Sequence, residues 1–132
     1  MGRNISVEIN DVIYSGATAP AKDQVEMLQL ASQCGLLPAI SDTVTNMGLA
    51  ASLSAVDAAS FNRLKMLCLT NGKIVRQIDN IPVAENLFQD EIHNFMVLVG
   101  RVLKENIGPF WQLSSDGGEK GNDSKVVAGT QE

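Results

Sequence analysis

His93 is the only histidine in the chain, and the carboxylates of Asp90 and Glu91 lie three and two residues before it. On a helix, positions 90 and 93 share a face, so an imidazole and a carboxylate can meet there. Such a pair supplies two metal ligands at most, whereas a structural zinc site needs four. A solvated histidine on a helix is the simpler reading. Cys34 and Cys68 are the only cysteines, and each sits inside an apolar periodic segment. That placement describes two reduced core thiols better than a disulfide or a nucleophile. No neighbouring group activates a Cys34–His93 dyad. Asn71-Gly72-Lys73 has a glycine and a lysine but lacks the glycine-rich approach and the following Ser or Thr of a phosphate-binding loop. Asp79, Glu85, Asp90 and Glu91 do not have calcium-loop spacing, and Glu85 sits where a helix start favours an acid. No cofactor, metal or catalytic residue is expected, and the chain does not read as an enzyme.

The elements that would position these groups follow from the apolar pattern. Ile5, Val7 and Ile9 alternate with polar residues, Asn10-Asp11 tolerates positive φ, and Val12-Ile13-Tyr14 follows. That pattern predicts a hairpin. Thr18 is placed to cap a helix beginning near Pro20, with Asp23 in its first turn and Gly35 at its end. Its stripe is Val25, Met27, Leu28, Leu30, Ala31 and Cys34. Ser41 or Asp42 can cap a second helix carrying Val44, Met47, Leu49 and Leu53. The small residues Gly48, Ala51, Ser52 and Ala55 on it would let another helix come close. Asp57 opens a third helix through Phe61, Leu64, Leu67 and Cys68, which Asn71-Gly72 stops. Residues 74–81 read as one extended stretch ending at Pro82. The strongest helix is predicted over residues 83–105, with Phe88, Ile92, Phe95, Val99 and Val102 at helical spacing. Gly100 either weakens that helix or admits a close neighbour, and residues 106–109 should end it.

These elements predict a mainly α (α+β) fold: an N-terminal β-hairpin, then a compact bundle of about four helices with one short additional extended segment. The domain is expected over residues 1–113, and residues 114–132, rich in Gly, Ser, Asp and Lys, read as a flexible tail. With 132 residues and 45% hydrophobic composition, the chain can build a core without metal or disulfide. No apolar run reaches the ~18 residues of a membrane span, and the N-terminus has no apolar signal core. A cytoplasmic location with no membrane contact is therefore expected. The net charge of −5 and the scatter of the ten basic residues argue against a nucleic-acid partner.

Apolar surface is the remaining route to function. Phe110 and Trp111 follow the Gly108-Pro109 break, where they either close the core or anchor a partner. The final helix can pack within the monomer or across a homo-oligomer. Met47, Leu53, Phe95, Val99, Phe110 and Trp111 are accordingly the candidate partner-binding residues.

In the order of its parts, the chain resembles the small tail assembly chaperones of long-tailed bacteriophages. The resemblance runs through the hairpin of residues 6–14, the helical middle with residues 54–71, the intervening 72–82 and the terminal helix. That helix ends Leu103-Lys104-Glu105-Asn106-Ile107-Gly108-Pro109-Phe110-Trp111. The ending is similar to an Asn-Phe-Gly motif followed by paired aromatics: Asn106, Gly108, Phe110 and Trp111 match, and Ile107 replaces an aromatic. The likeness covers about residues 5–113. It implies a protein that binds the tape measure protein before the tail tube polymerises around it, and that helps to load tail tube subunits. It also implies a short form and a frameshifted long form, both absent from the finished virion, with no catalytic residue to carry over. A structural tail or head-completion subunit and a small regulatory protein are the alternatives. The first would form stable rings or tubes, and the second would need Arg63, Lys65, Arg76 and Arg101 on one face.

Overall fold

The computed structural model describes residues 2–40 and 45–108. The candidate anchors Phe110 and Trp111, the proposed caps Ser41 and Asp42, and the boundary at residue 113 lie outside the described residues.

Strands β1 (Asn4–Ile9) and β2 (Val12–Ala17) pair antiparallel with Ile9 opposite Val12. Asn10 and Asp11 take φ of 52° and 66°, the left-handed values that a two-residue hairpin turn requires. Thr18 does not cap a helix. Its hydroxyl accepts from the Arg3 N–H at 2.7 Å, and its own N–H donates to the Arg3 carbonyl at 2.8 Å, which prolongs the ribbon. Helix α1 (Ala21–Gln33) starts after Pro20, which is the cap residue and offers no side-chain acceptor. Its end is a Schellman motif. Gly35 takes φ of 73°, and the Leu36 and Gly35 N–H groups donate to the Ala31 and Ser32 carbonyls.

A single 3₁₀ turn (Pro38–Ile40) precedes the undescribed residues 41–44, and helix α2 (Asn46–Ser54) follows. Its cap is Thr45, whose hydroxyl accepts from the Gly48 N–H at 3.1 Å. Asp57 caps α3 (Ala58–Lys65) through the Ser60 N–H, as its position predicts. The helix then widens into a π segment (Met66–Thr70), closed by the Asn71 N–H on the Met66 carbonyl. Widening turns the consecutive residues Leu67, Cys68 and Leu69 inward together.

Two expectations are corrected here. The stretch at 74–81 is not one strand but a small hairpin, β3 (Val75–Arg76) and β4 (Ile81–Pro82), joined by a turn at which Asn80 takes φ of 58°. Arg76 holds Asp79 across that turn at 2.8 Å, and Ile78 stands exposed at its tip. The four strands form one antiparallel sheet in the order β1-β2-β3-β4. The last helix, α4 (Ile92–Ile107), begins nine residues later than the predicted 83. A separate 3₁₀ turn (Glu85–Phe88) comes first, and Asp90, at φ 66°, breaks the path between them.

Helix α4 is the axis of the core. Phe95, Leu98, Val99, Val102 and Leu103 have no exposed surface, and α1, α2, β1, the π segment and both 3₁₀ turns pack on it. A chain of rings crosses the core: Tyr14 to Phe88 at 5.5 Å, Phe88 to Phe95 at 5.5 Å, and Phe95 to Phe61 at 6.5 Å edge-on. The fold is thus α+β, with the hairpin and the helical bundle sharing one core. Among the described residues, no helix is long and apolar enough to cross a membrane.

Candidate protein-binding groove

An apolar groove of about 540 Å³ lies between α2 and the first half of α4, closed at one end by the tip of the hairpin. Two features bring its walls together. Gly100 has no side chain, so Leu49 of α2 settles directly on the α4 backbone. The Arg101 guanidinium donates to the Asn46 amide oxygen at 2.8 Å, tying the first residue of α2 to α4. On the α2 side the groove presents Met47, Ala50, Ala51 and Ser54. On the α4 side it presents Ile92, His93, Met96 and Val97, and Ile9 and Asn10 supply the end. Met47 is 81% exposed and Ile92 is 50% exposed, so two large apolar side chains stand in water at one place.

Of the sequence-derived candidates, Met47 lies in this groove. Leu53, Phe95 and Val99 do not: all three are core residues with at most 1% exposure. Phe95 is enclosed by Phe61 and Phe88. An amphipathic stripe identifies the buried face of a helix without saying whether its own chain or a partner covers it, and here the chain's own elements do. Sequence reading missed Ile92 because the predicted early start of the helix put it in mid-stripe. Asp90 was the available signal, since an aspartate tolerates the positive φ that frees the first turn of α4.

Three ion pairs lie outside the groove lining. Arg63 makes a two-pronged pair with Glu26 at 2.5 and 2.8 Å, Lys65 pairs with Glu85, and Arg76 grips Asp79 at 3.1 and 2.8 Å. Each hydrogen bond holds its carboxyl below the ordinary value. Three of the four cations that a regulatory reading needs on one face are therefore matched by acids on separate elements. A larger cleft, about 810 Å³, lies between β1 and α4, but Glu8, Asp11, Arg101, Lys104 and Glu105 line it with both signs of charge. It offers less apolar surface than the groove.

His93 borders the groove, and among the described residues no three His, Cys, Asp or Glu side chains are grouped to hold a metal. The two cysteines are free; Cys34 is half-buried and Cys68 is fully buried. Burial pushes the Cys68 thiol up to about 12, because the thiolate would lose its hydration. Under native conditions a maleimide should therefore label Cys34 alone, with Cys68 reacting only after denaturant is added. Prompt double labelling in the folded protein would contradict the packing described for the π segment. A scan against protein-family models, a search of curated proteins and a search of solved structures each find no match.

Proposed function

We propose that this chain is a non-enzymatic, protein-binding assembly factor of the phage tail assembly chaperone type. In this reading it binds the tape measure protein in the host cytoplasm and helps tail tube assembly. The observation that carries the reading is the exposed apolar groove along the small-residue helix α2. A chaperone for an elongated, aggregation-prone client needs apolar surface that folding leaves uncovered, on a body that stays soluble. The net charge of −5 supplies the second property through self-repulsion. The resemblance in element order and in the Asn106–Trp111 ending supports the same client.

The test is co-expression with the tape measure protein, followed by pull-down and size-exclusion chromatography with light scattering. The wild-type chain should keep an otherwise insoluble tape measure protein in a soluble complex. Met47→Glu combined with Ile92→Glu should weaken that complex by at least about tenfold, since charge in an apolar contact costs more than ~1.4 kcal/mol. Val25→Glu, an exposed apolar position on α1 away from the groove, is the control and should leave binding intact. If no complex forms and the chain instead assembles alone into rings or tubes, it is a structural subunit.

A further inference from the structure

We infer that the groove's occupant is a basic amphipathic α-helix, with aliphatic residues along one face and lysine or arginine beside them. The inference rests on the chaperone reading for its client, and on the shape and charge of the groove for its chemistry. Both long walls are helices, and α2 offers Ala50, Ala51 and Ser54 where larger residues would hold a neighbour away. Small side chains let a third helix axis approach closely, and the space between two helices matches a helical cylinder. Helix α2 has nine residues, about 13 Å of length, enough for roughly two and a half turns of a ligand. Met47 and Met96, one on each wall, have unbranched thioethers that adapt to differing aliphatic faces.

Charge fixes the rest. Among the described residues the groove lining contains no lysine or arginine; its one formal charge is the Glu8 carboxylate at the hairpin end, and the nearby Arg101 guanidinium is engaged by Asn46. Asp90 and Glu91, both exposed, immediately precede the groove residue Ile92 and add acid at the start of α4. A cationic segment is attracted there, and an acidic one is repelled.

The probe is a designed 18-residue peptide with leucines at helical spacing and lysines flanking them, compared with the same peptide carrying glutamates instead. The readout is the methyl NMR spectrum of the methionine-labelled protein. The lysine peptide should shift Met47 and Met96, but not Met27, which is buried, or Met66, which is exposed outside the groove. Ala51→Leu fills the groove from an exposed position and should weaken the peptide about tenfold. Glu8→Lys should weaken the lysine peptide several-fold and favour the glutamate one, more so at low salt. Equal binding of both peptides, shifts centred on Met66, or an unchanged affinity in Ala51→Leu would overturn the inference. If the peptide binds as stated but the tape measure protein does not, the client is wrong and the groove chemistry stands. A tape measure complex indifferent to Ala51→Leu leaves the chaperone reading and removes this one.

Discussion

Replacing Gly100 with valine should destabilise the fold by about 2–3 kcal/mol, although the substitution takes a glycine out of a helix interior. In an open helix the loss of glycine is favourable, by up to ~1 kcal/mol for alanine and less for valine. Gly100 is not in an open helix. A β-carbon there would lie 2.7 Å from both Cγ and Cδ1 of Leu49 and 2.8 Å from its Cδ2, distances at which something must move. The obstacle includes the branch carbon of Leu49, which cannot swing away as a chain tip can. Either α2 separates from α4 or Leu49 leaves the core, and overpacking of this kind costs about 1–3 kcal/mol. Valine adds a second branch and sits at the high end. The double variant Gly100→Ala with Leu49→Ala makes the cause visible. Leu49→Ala alone should cost about 2–5 kcal/mol, as for other buried leucines, but the pair should cost at least ~1 kcal/mol less than the sum of the single changes. Urea denaturation of the parent, Gly100→Val, Gly100→Ala, Leu49→Ala and the double variant measures this. A stable Gly100→Val protein, or strict additivity, would mean that the α2–α4 contact is not as close as described. Because the same two helices wall the groove, Gly100→Val should also reduce partner binding per folded molecule, with no groove residue altered.

That interface also shows how far the sequence could be read. Gly100 was recognisable as either a weak point or a site of close approach, and the small residues of α2 pointed to a helix neighbour. Deciding between the readings needed the position of Leu49. The hairpin was legible because alternation and the Asn10-Asp11 pair are both local, and Gly35 marked the end of α1 for the same reason. Errors arose where apolar spacing continued through a change of backbone. Phe88, Ile92 and Phe95 keep helical intervals although Asp90 turns the chain out of the helix between them. Phe88 still reaches Phe95 from its separate 3₁₀ turn. Periodicity records which side chains face the core, and two different backbone paths can satisfy it. The extended stretch at 74–81 failed in the opposite way: a turn centred on exposed Ile78 has no apolar signature of its own. The binding surface was half legible for a related reason. Met47 occupies the first turn of a helix whose apolar content exceeds what its own core contact can cover, whereas Ile92 was concealed by the misplaced helix start.

The second large effect is expected at Asn106, where leucine should cost about 2 kcal/mol despite being the more apolar residue at a buried site. Asn106 Oδ1 accepts from the Ala19 N–H at 2.8 Å, with Gln24 Nε2 more distant at 3.4 Å. Asn106 Nδ2 donates to the Val102 carbonyl at 2.9 Å, one turn back in α4. Ala19 is 3% exposed, so its N–H has no ready access to water once the amide is gone. An orphaned buried donor costs about 1–3 kcal/mol, more than the apolar gain of leucine in a cramped site returns. Asn106→Asp separates the two halves of the side chain. It keeps an acceptor for Ala19 but places a second oxygen against the Val102 carbonyl and a charge in the core. Burial raises such a carboxyl above its unfolded value, so its penalty is full at neutral pH and shrinks as the pH falls and the acid protonates. Once protonated, the acid can donate to Val102 as the amide did. The leucine variant, with nothing to titrate there, should show no comparable recovery relative to the parent. Denaturation at pH 7 and pH 4.5, with amide exchange at Ala19, distinguishes them; leucine matching the parent in stability would remove the bond from the account. Asn106 joins the end of α4 to the chain entering α1, and the groove lies at the other end of α4. Partner binding per folded molecule should therefore survive both changes. Asn106 carries part of the chaperone resemblance, but its geometry here explains why this fold needs an amide at that position, whatever the client.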